Sequence, residues 1–221
     1  MYKILTFIVG ALAIQKRNIH DFRVHKFDHP PNFIHDHILV SSKSNYQPII
    51  GILTQPVSEK KKKLYNTTIK NYILEVNESY IRWSGSRTIA IPYDIEDGLL
   101  DEVLDQINGV LLTGGSLDLV NKTSGEPHPY FLTAKRIFEY SKTKMEKDNE
   151  EWPILGTCQG FQILSILASN DDFDILEVYK SFEENRKVHW STDFNSSHLF
   201  HHLSPDTASH MSQSPLTFHV H

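Results

Sequence analysis

Cysteine is almost missing from this chain: Cys158 stands alone among 221 residues. One cysteine excludes an internal disulfide and any four-cysteine zinc site, leaving three roles: buried filler, intermolecular link or nucleophile. Basic charge is short as well. Lys and Arg number 22 against 27 Asp and Glu, a net charge of −5. That balance argues against a nucleic-acid binder, which needs a basic face to neutralise phosphates. Long hydrophobic runs are also lacking. The apolar stretch from Ile4 to Ile14 falls short of the roughly 20 residues that cross a bilayer, and no later stretch is apolar enough. What is present suffices for one domain, since 39% of the residues are hydrophobic.

The first 14 residues, MYKILTFIVGALAI, combine a lysine, a short apolar middle and Ala11-Leu12-Ala13 as a small-x-small site. This is the form of a secretory signal peptide, so the mature chain is expected to be soluble and free of the membrane. Asn66, Asn77, Asn121 and Asn195 each open an Asn-x-Ser/Thr acceptor for N-glycosylation, although Asn77 falls in an expected helix. Together these features point to secretion or to a lysosome or vacuole. An oxidising compartment makes the lone cysteine odder, because secreted proteins seldom keep a free thiol without a use. Residues 15–47 are polar and contain His20, His25, His29, His35 and His37. Without cysteines or an i, i+4 helical spacing they read as a solvated arm, not a metal site.

From Pro48 onward, strand and helix patterns alternate. Ile49 to Thr54, Thr88 to Ile91, Gly109 to Thr113 and Pro153 to Gly156 are short apolar runs of strand length. Ile69, Tyr72, Ile73, Val76, Tyr80 and Trp83 recur at three- and four-residue steps and predict one apolar helix face. Leu99 to Ile107, Tyr130 to Met145 and Phe161 to Ala168 predict three more helices, the second turning Ala134, Ile137, Phe138 and Ser141 inward. Lys60 to Lys63 reads as a solvated loop. Apolar strands separated by amphipathic helices imply a doubly wound α/β domain, mostly parallel, with helices on both faces. Ligands in such sheets sit beyond the carboxyl ends of the strands.

Two strand ends carry unusual chemistry: Thr113-Gly114-Gly115-Ser116 and Gly156-Thr157-Cys158-Gln159-Gly160. The second has the form of a nucleophile elbow with cysteine in place of serine, the alternative being a buried cysteine between two glycines at a tight turn. Its glycines relieve crowding where the backbone bends sharply. The helix that follows directs its positive end at the sulfur, an arrangement suited to a thiolate nucleophile. The amide of Gln159 and one from the Gly114-Gly115 turn would then face an oxyanion.

Pro48 to Gln55, Ser84-Gly85-Ser86-Arg87, Ile107 to Asp118 and Trp152 to Phe161 together resemble the gamma-glutamyl hydrolases, members of the class I glutamine amidotransferase-like superfamily. The likeness runs from about Pro48 to the end of the chain, is clear to Leu167 and thins beyond. It implies a flavodoxin-like α/β domain over 48–221 that hydrolyses γ-linked glutamates, typically the polyglutamate tail of folates, a small-molecule substrate. It places Cys158 as catalytic nucleophile, Gly115 and Gln159 at the oxyanion hole and, through Leu216-Thr217-Phe218-His219, His219 as a substrate-binding histidine. Ser197 to Phe200 resembles the family's other histidine-containing stretch. The implied steps are attack on the γ-amide, a γ-glutamyl thioester and its hydrolysis, with no cofactor and no metal. A polyglutamate tail also needs cations at the cleft, for which the Lys60–Lys63 run and Arg87 are candidates. A homodimer is the one protein partner left open.

The family takes its base from a histidine in a Gln-x-His-Pro-Glu type motif on a late strand. Here no histidine is followed two residues later by glutamate, and the chain stops at His221. The expectation is a domain without its final strands, either cut short from a complete enzyme or acting as a non-catalytic binding protein. Replacement of the base by His189, His198 or His219 has no support in their spacing. An amidotransferase domain feeding ammonia to a synthase conflicts with the leader.

Overall fold

The computed structural model describes residues 47–177, 182–190, 194–197, 199–200 and 202–220. The expected leader and the histidines of the arm lie outside them. Four parallel strands form the central sheet: β1 (Ile49–Leu53), β4 (Arg87–Ile91), β5 (Gly109–Leu112) and β6 (Ile154–Gly156). Their order is β4-β1-β5-β6, with Ile52 of β1 opposite Ala90 on one side and Leu111 on the other. Every residue of β5 is buried. That explains its unbroken apolar run, because a central parallel strand meets packed side chains on both faces.

Helices link the strands. The chain leaves β1 through α1 (Glu59–Leu64) and α2 (Glu75–Trp83) to reach β4. It then reverses across the sheet through α3 (Asp97–Leu104) to β5, and continues through α4 (Pro129–Thr143) to β6 and α5 (Gln159–Ala168). The reversal creates a topological switch between β1 and β5, the place where such sheets bind ligands. The main core joins Leu53, Ile91 and Leu112 to Leu100 and Leu104 of α3, Phe131 and Ile137 of α4, and Ile163 and Leu167 of α5. The opposite face is served by α2, where Ile81 packs on Ile52 and Leu111.

Ala134, Ile137 and Phe138 point inward as their spacing predicts. Ser141 is half-buried, and its hydroxyl donates to the Trp152 carbonyl at 2.6 Å. The predicted helix from Ile69 to Trp83 is corrected at its start and in its facing. Asn71–Tyr72 form β3, which pairs antiparallel with β2 (Gln55–Pro56), so the helix begins only at Glu75. Its buried residue is Ile81, whereas Val76, Tyr80 and Trp83 are exposed, Trp83 at 85%. Once Tyr72 is drawn into the β2–β3 ribbon, the face turned to the sheet is the one that carries Ile81. The lysine run is also corrected: it forms α1, capped by the Ser58 hydroxyl, which accepts from the Lys61 amide at 3.3 Å. Glu59 in its first turn and lysines in its last suit the helix dipole. Its solvation stands, since α1 buries no residue.

Farther along, β7 (Phe182–Arg186) and β8 (Thr217–Val220) form an antiparallel pair, with α6 (Pro205–Gln213) between them. This pair is separate from the parallel sheet.

Candidate active site

Cys158 occupies the N-cap of α5, separated from β6 by Thr157 alone, and is exposed. Its backbone lies at φ 52°, ψ −117°. A non-glycine residue held there costs about 1–3 kcal/mol, a strain that persists only where neighbours enforce it. The neighbours are evident. A Cβ on Gly156 would stand 2.7 Å from the Gly160 backbone, and one on Gly160 would stand 2.1 Å from the Leu112 carbonyl oxygen. Both glycines are therefore required by close backbone approach, as the elbow pattern predicts. The Phe161 and Gln162 amides bond back to the Cys158 carbonyl, closing the first turn. The Gln159 amide, at the first helical position, has no intrahelical acceptor.

The turn after β5 faces this corner. A Cβ on Gly114 would lie 2.9 Å from Cys158 Cβ and 3.4 Å from its Sγ. At Gly115 an added Cβ would meet Oε1 of both Gln159 and Gln55 at 3.0 Å. The structure thus brings Cys158, Gln159 and the Gly114-Gly115 turn together. Gln159 does more than offer a backbone amide. Its buried side chain accepts from the Leu117 amide at 3.0 Å and donates to the Leu117 carbonyl at 2.7 Å, which pins the loop beyond the turn.

Sequence reading passed over Gln55 as a site residue, although it ends one of the stretches carrying the family likeness. Buried at the start of β2, two residues beyond β1, it donates to the Thr113 hydroxyl at 3.4 Å. The switch point between β1 and β5 is therefore polar and sits against the glycine turn. The Tyr130 hydroxyl is buried beside Thr113 without reaching hydrogen-bond geometry, and burial pushes its pKa well up. His128, the N-cap of α4, accepts from the Tyr130 amide through Nδ1 at 3.1 Å, with its ring 5.9 Å from that of Tyr93. Burial holds its imidazole below the usual histidine value.

Other expected residues lie elsewhere. His219 stands in β8, opposite Glu184 of β7, outside the parallel sheet. His189 is exposed after β7, and His198 lies outside the described residues. Among the described residues none hydrogen-bonds the Cys158 thiol, and no cluster of three potential metal ligands forms. Arg87 is at the amino end of β4, where its guanidinium donates to the Gln47 carbonyl at 3.5 Å. It is corrected as a cleft cation, because the elbow is at the carboxyl ends. The α1 lysines are at the elbow's end of the sheet. Of the acceptor asparagines, Asn66 is exposed just after α1 and Asn121 is exposed with its Oδ1 bonded to the Thr123 and Ser124 amides. Asn77 is half-buried in α2, and Asn195 falls in a 3-10 turn.

Residues 48–214 match the model of the Peptidase C26 family. Gamma-glutamyl hydrolase of Mus musculus is 31% identical over 176 residues, covering 79% of this chain and 51% of the mouse protein. Gamma-glutamyl hydrolase 1 of Arabidopsis thaliana is 28% identical over 178 residues, 80% of this chain and 48% of its own length. The Homo sapiens gamma-glutamyl hydrolase is 27% identical over 175 residues, 79% and 51% of the two chains. The chain spans about half the length of the curated relatives it matches. A parallel α/β sheet, a strained cysteine at its elbow and a family match over most of the described fold lead to one assignment: this chain belongs to the Peptidase C26 family.

Proposed function

We propose that the chain acts in γ-glutamyl hydrolysis, with Cys158 as nucleophile and a folate poly-γ-glutamate as substrate. The observation that carries this reading is the forced φ of 52° at Cys158, which presents an exposed thiol at a helix N-terminus against the Gly114-Gly115 turn. Sulfur attacks the γ-carbonyl carbon, and the carbonyl electron pair moves to oxygen. In this reading the backbone amides of Gly115 and Gln159 hold that oxyanion. Collapse breaks the carbon–nitrogen bond, the amine leaves with a proton, and the γ-glutamyl thioester is hydrolysed by water. A general base must move the thiol proton to the amine. That role is assigned to no described histidine. The names of the relatives support the bond type, and the leader and acceptor asparagines support a secreted or vacuolar setting.

The test compares glutamate release from pteroylpenta-γ-glutamate by the purified chain and by Cys158→Ala, with mass analysis of Cys158 after a rapid quench. Release by the parent alone, with a γ-glutamyl adduct on Cys158, is expected. Equal release by both proteins would overturn the nucleophile assignment. Absence of any adduct and any release would overturn the catalytic reading for this chain.

A further inference from the structure

A ligand that carries one carboxylate per residue meets a chain of net charge −5, so its approach depends on local positive charge. The densest such charge in the sequence is Lys60 to Lys63 on α1. This helix follows β1 and β2 and therefore belongs to the carboxyl end of the sheet. A continuous path of contacts joins it to the elbow. Cys158 faces Gly114, and the next residue, Gly115, faces Gln55. Gln55 is the cross-strand partner of Tyr72 in the β2–β3 ribbon, about 5 Å away by sheet geometry. The Tyr72 hydroxyl accepts from Lys61 Nζ at 3.1 Å, and the ammonium also lies 4.8 Å from the centre of the Tyr72 ring.

The four lysines are not equivalent. Lys62 is neutralised by Glu59 at 2.7 Å. Lys61 makes no ion pair among the described residues, and Tyr72 holds it while using only one of its three donors. A cation that is positioned, exposed and uncompensated is ready to receive a carboxylate, with less side-chain freedom left to lose on binding.

We infer that Lys61, braced on Tyr72, is a specificity-determining residue that takes a carboxylate of a γ-linked glutamate chain beyond the residue at the scissile bond. The inference rests on the proposed γ-glutamyl substrate and adds to it a preference for longer tails. On this inference a substrate with a single glutamate makes no contact with Lys61, whereas an oligomer does.

Binding to the Cys158→Ala protein tests this without turnover. The probes are γ-glutamylanilide, with one carboxylate, and penta-γ-glutamate, in titrations at 0.05 and 0.5 M salt. Lys61→Ala is expected to weaken the pentamer about fivefold at low salt, the upper range for an exposed ion pair. The effect shrinks at high salt, and the anilide is unaffected. Lys61→Arg retains the preference, and Lys147→Ala, which removes the same charge from the segment after α4, changes neither probe. Equal loss for both probes, no loss for the pentamer, or the same loss in Lys147→Ala would overturn the inference. A pentamer that does not bind at all would overturn it too. Tail discrimination without acylation of Cys158 overturns only the catalytic reading, while acylation without tail discrimination overturns only this inference.

Discussion

The Gln159 side chain closes two hydrogen bonds on the backbone of one residue, Leu117, accepting from its amide and donating to its carbonyl. A buried amide clamped in this way ties the first turn of α5 to the loop after β5. The two walls of the candidate oxyanion site are then fixed to each other. Gln159→Leu keeps the backbone amide at the elbow but removes both bonds and leaves two backbone groups unpaired. The cost is about 2–4 kcal/mol of stability. Faster hydrogen exchange at the Leu117 amide, beyond any change in β5 itself, checks the local part of this effect.

Gly114→Ala probes the gap beside the thiol. Its Cβ would press on Cys158 Cβ at 2.9 Å and approach Sγ to 3.4 Å. Alkylation of Cys158 by iodoacetamide is expected to slow about tenfold, with a stability loss of about 1–2 kcal/mol from overpacking. Unchanged alkylation would show that the turn does not border the reactive face of the sulfur.

His128 makes stability depend on pH. Its folded pKa lies below the unfolded value because burial disfavours the imidazolium, and protonation of Nδ1 would also remove the acceptor for the Tyr130 amide. The unfolded chain therefore binds the extra proton first. The contribution is complete above the unfolded histidine pKa of about 6.5 and is lost as pH falls through the lower folded value. His128→Asn keeps a capping acceptor without titrating. Thermal melts from pH 7.5 to 5 are expected to show a smaller decline for this variant than for the parent.

Tyr130→Phe removes a buried hydroxyl that has no hydrogen-bond partner among the described residues. The ring and its packing remain, so stability is expected to rise by about 1 kcal/mol. Denaturant unfolding measures it. A loss of similar size would mean that the hydroxyl is satisfied, by a bridging water beside Thr113, for example.

Much of the fold and the elbow of the candidate site were legible in the residues. The four strands of the parallel sheet are short apolar runs bounded by turns. Such runs report burial on both faces without reference to distant partners. The elbow is equally local: Gly156 and Gly160 are needed because backbone atoms pass within 3 Å of where a side chain would stand. By contrast, the periodicity from Ile69 to Trp83 misled. Helical spacing cannot reveal that Tyr72 is claimed by Gln55 in a ribbon, or that Ile81 instead of Trp83 meets the sheet.

The sequence by itself determined the geometry at one point, a lone cysteine at a strand-to-helix corner, because sterics between near neighbours dictate its glycines. Tertiary structure alone decided what surrounds that point. Gln55 and Thr113 meet across 58 residues, and Gln159 reaches Leu117 across 42, because β1, β5 and β6 lie side by side in an order that no local pattern encodes. The same order carries α1 and Lys61 to the carboxyl end of the sheet and leaves Arg87 at the other. Charge is written in the sequence, but its distance from the thiol depends on which strand ends the fold brings together.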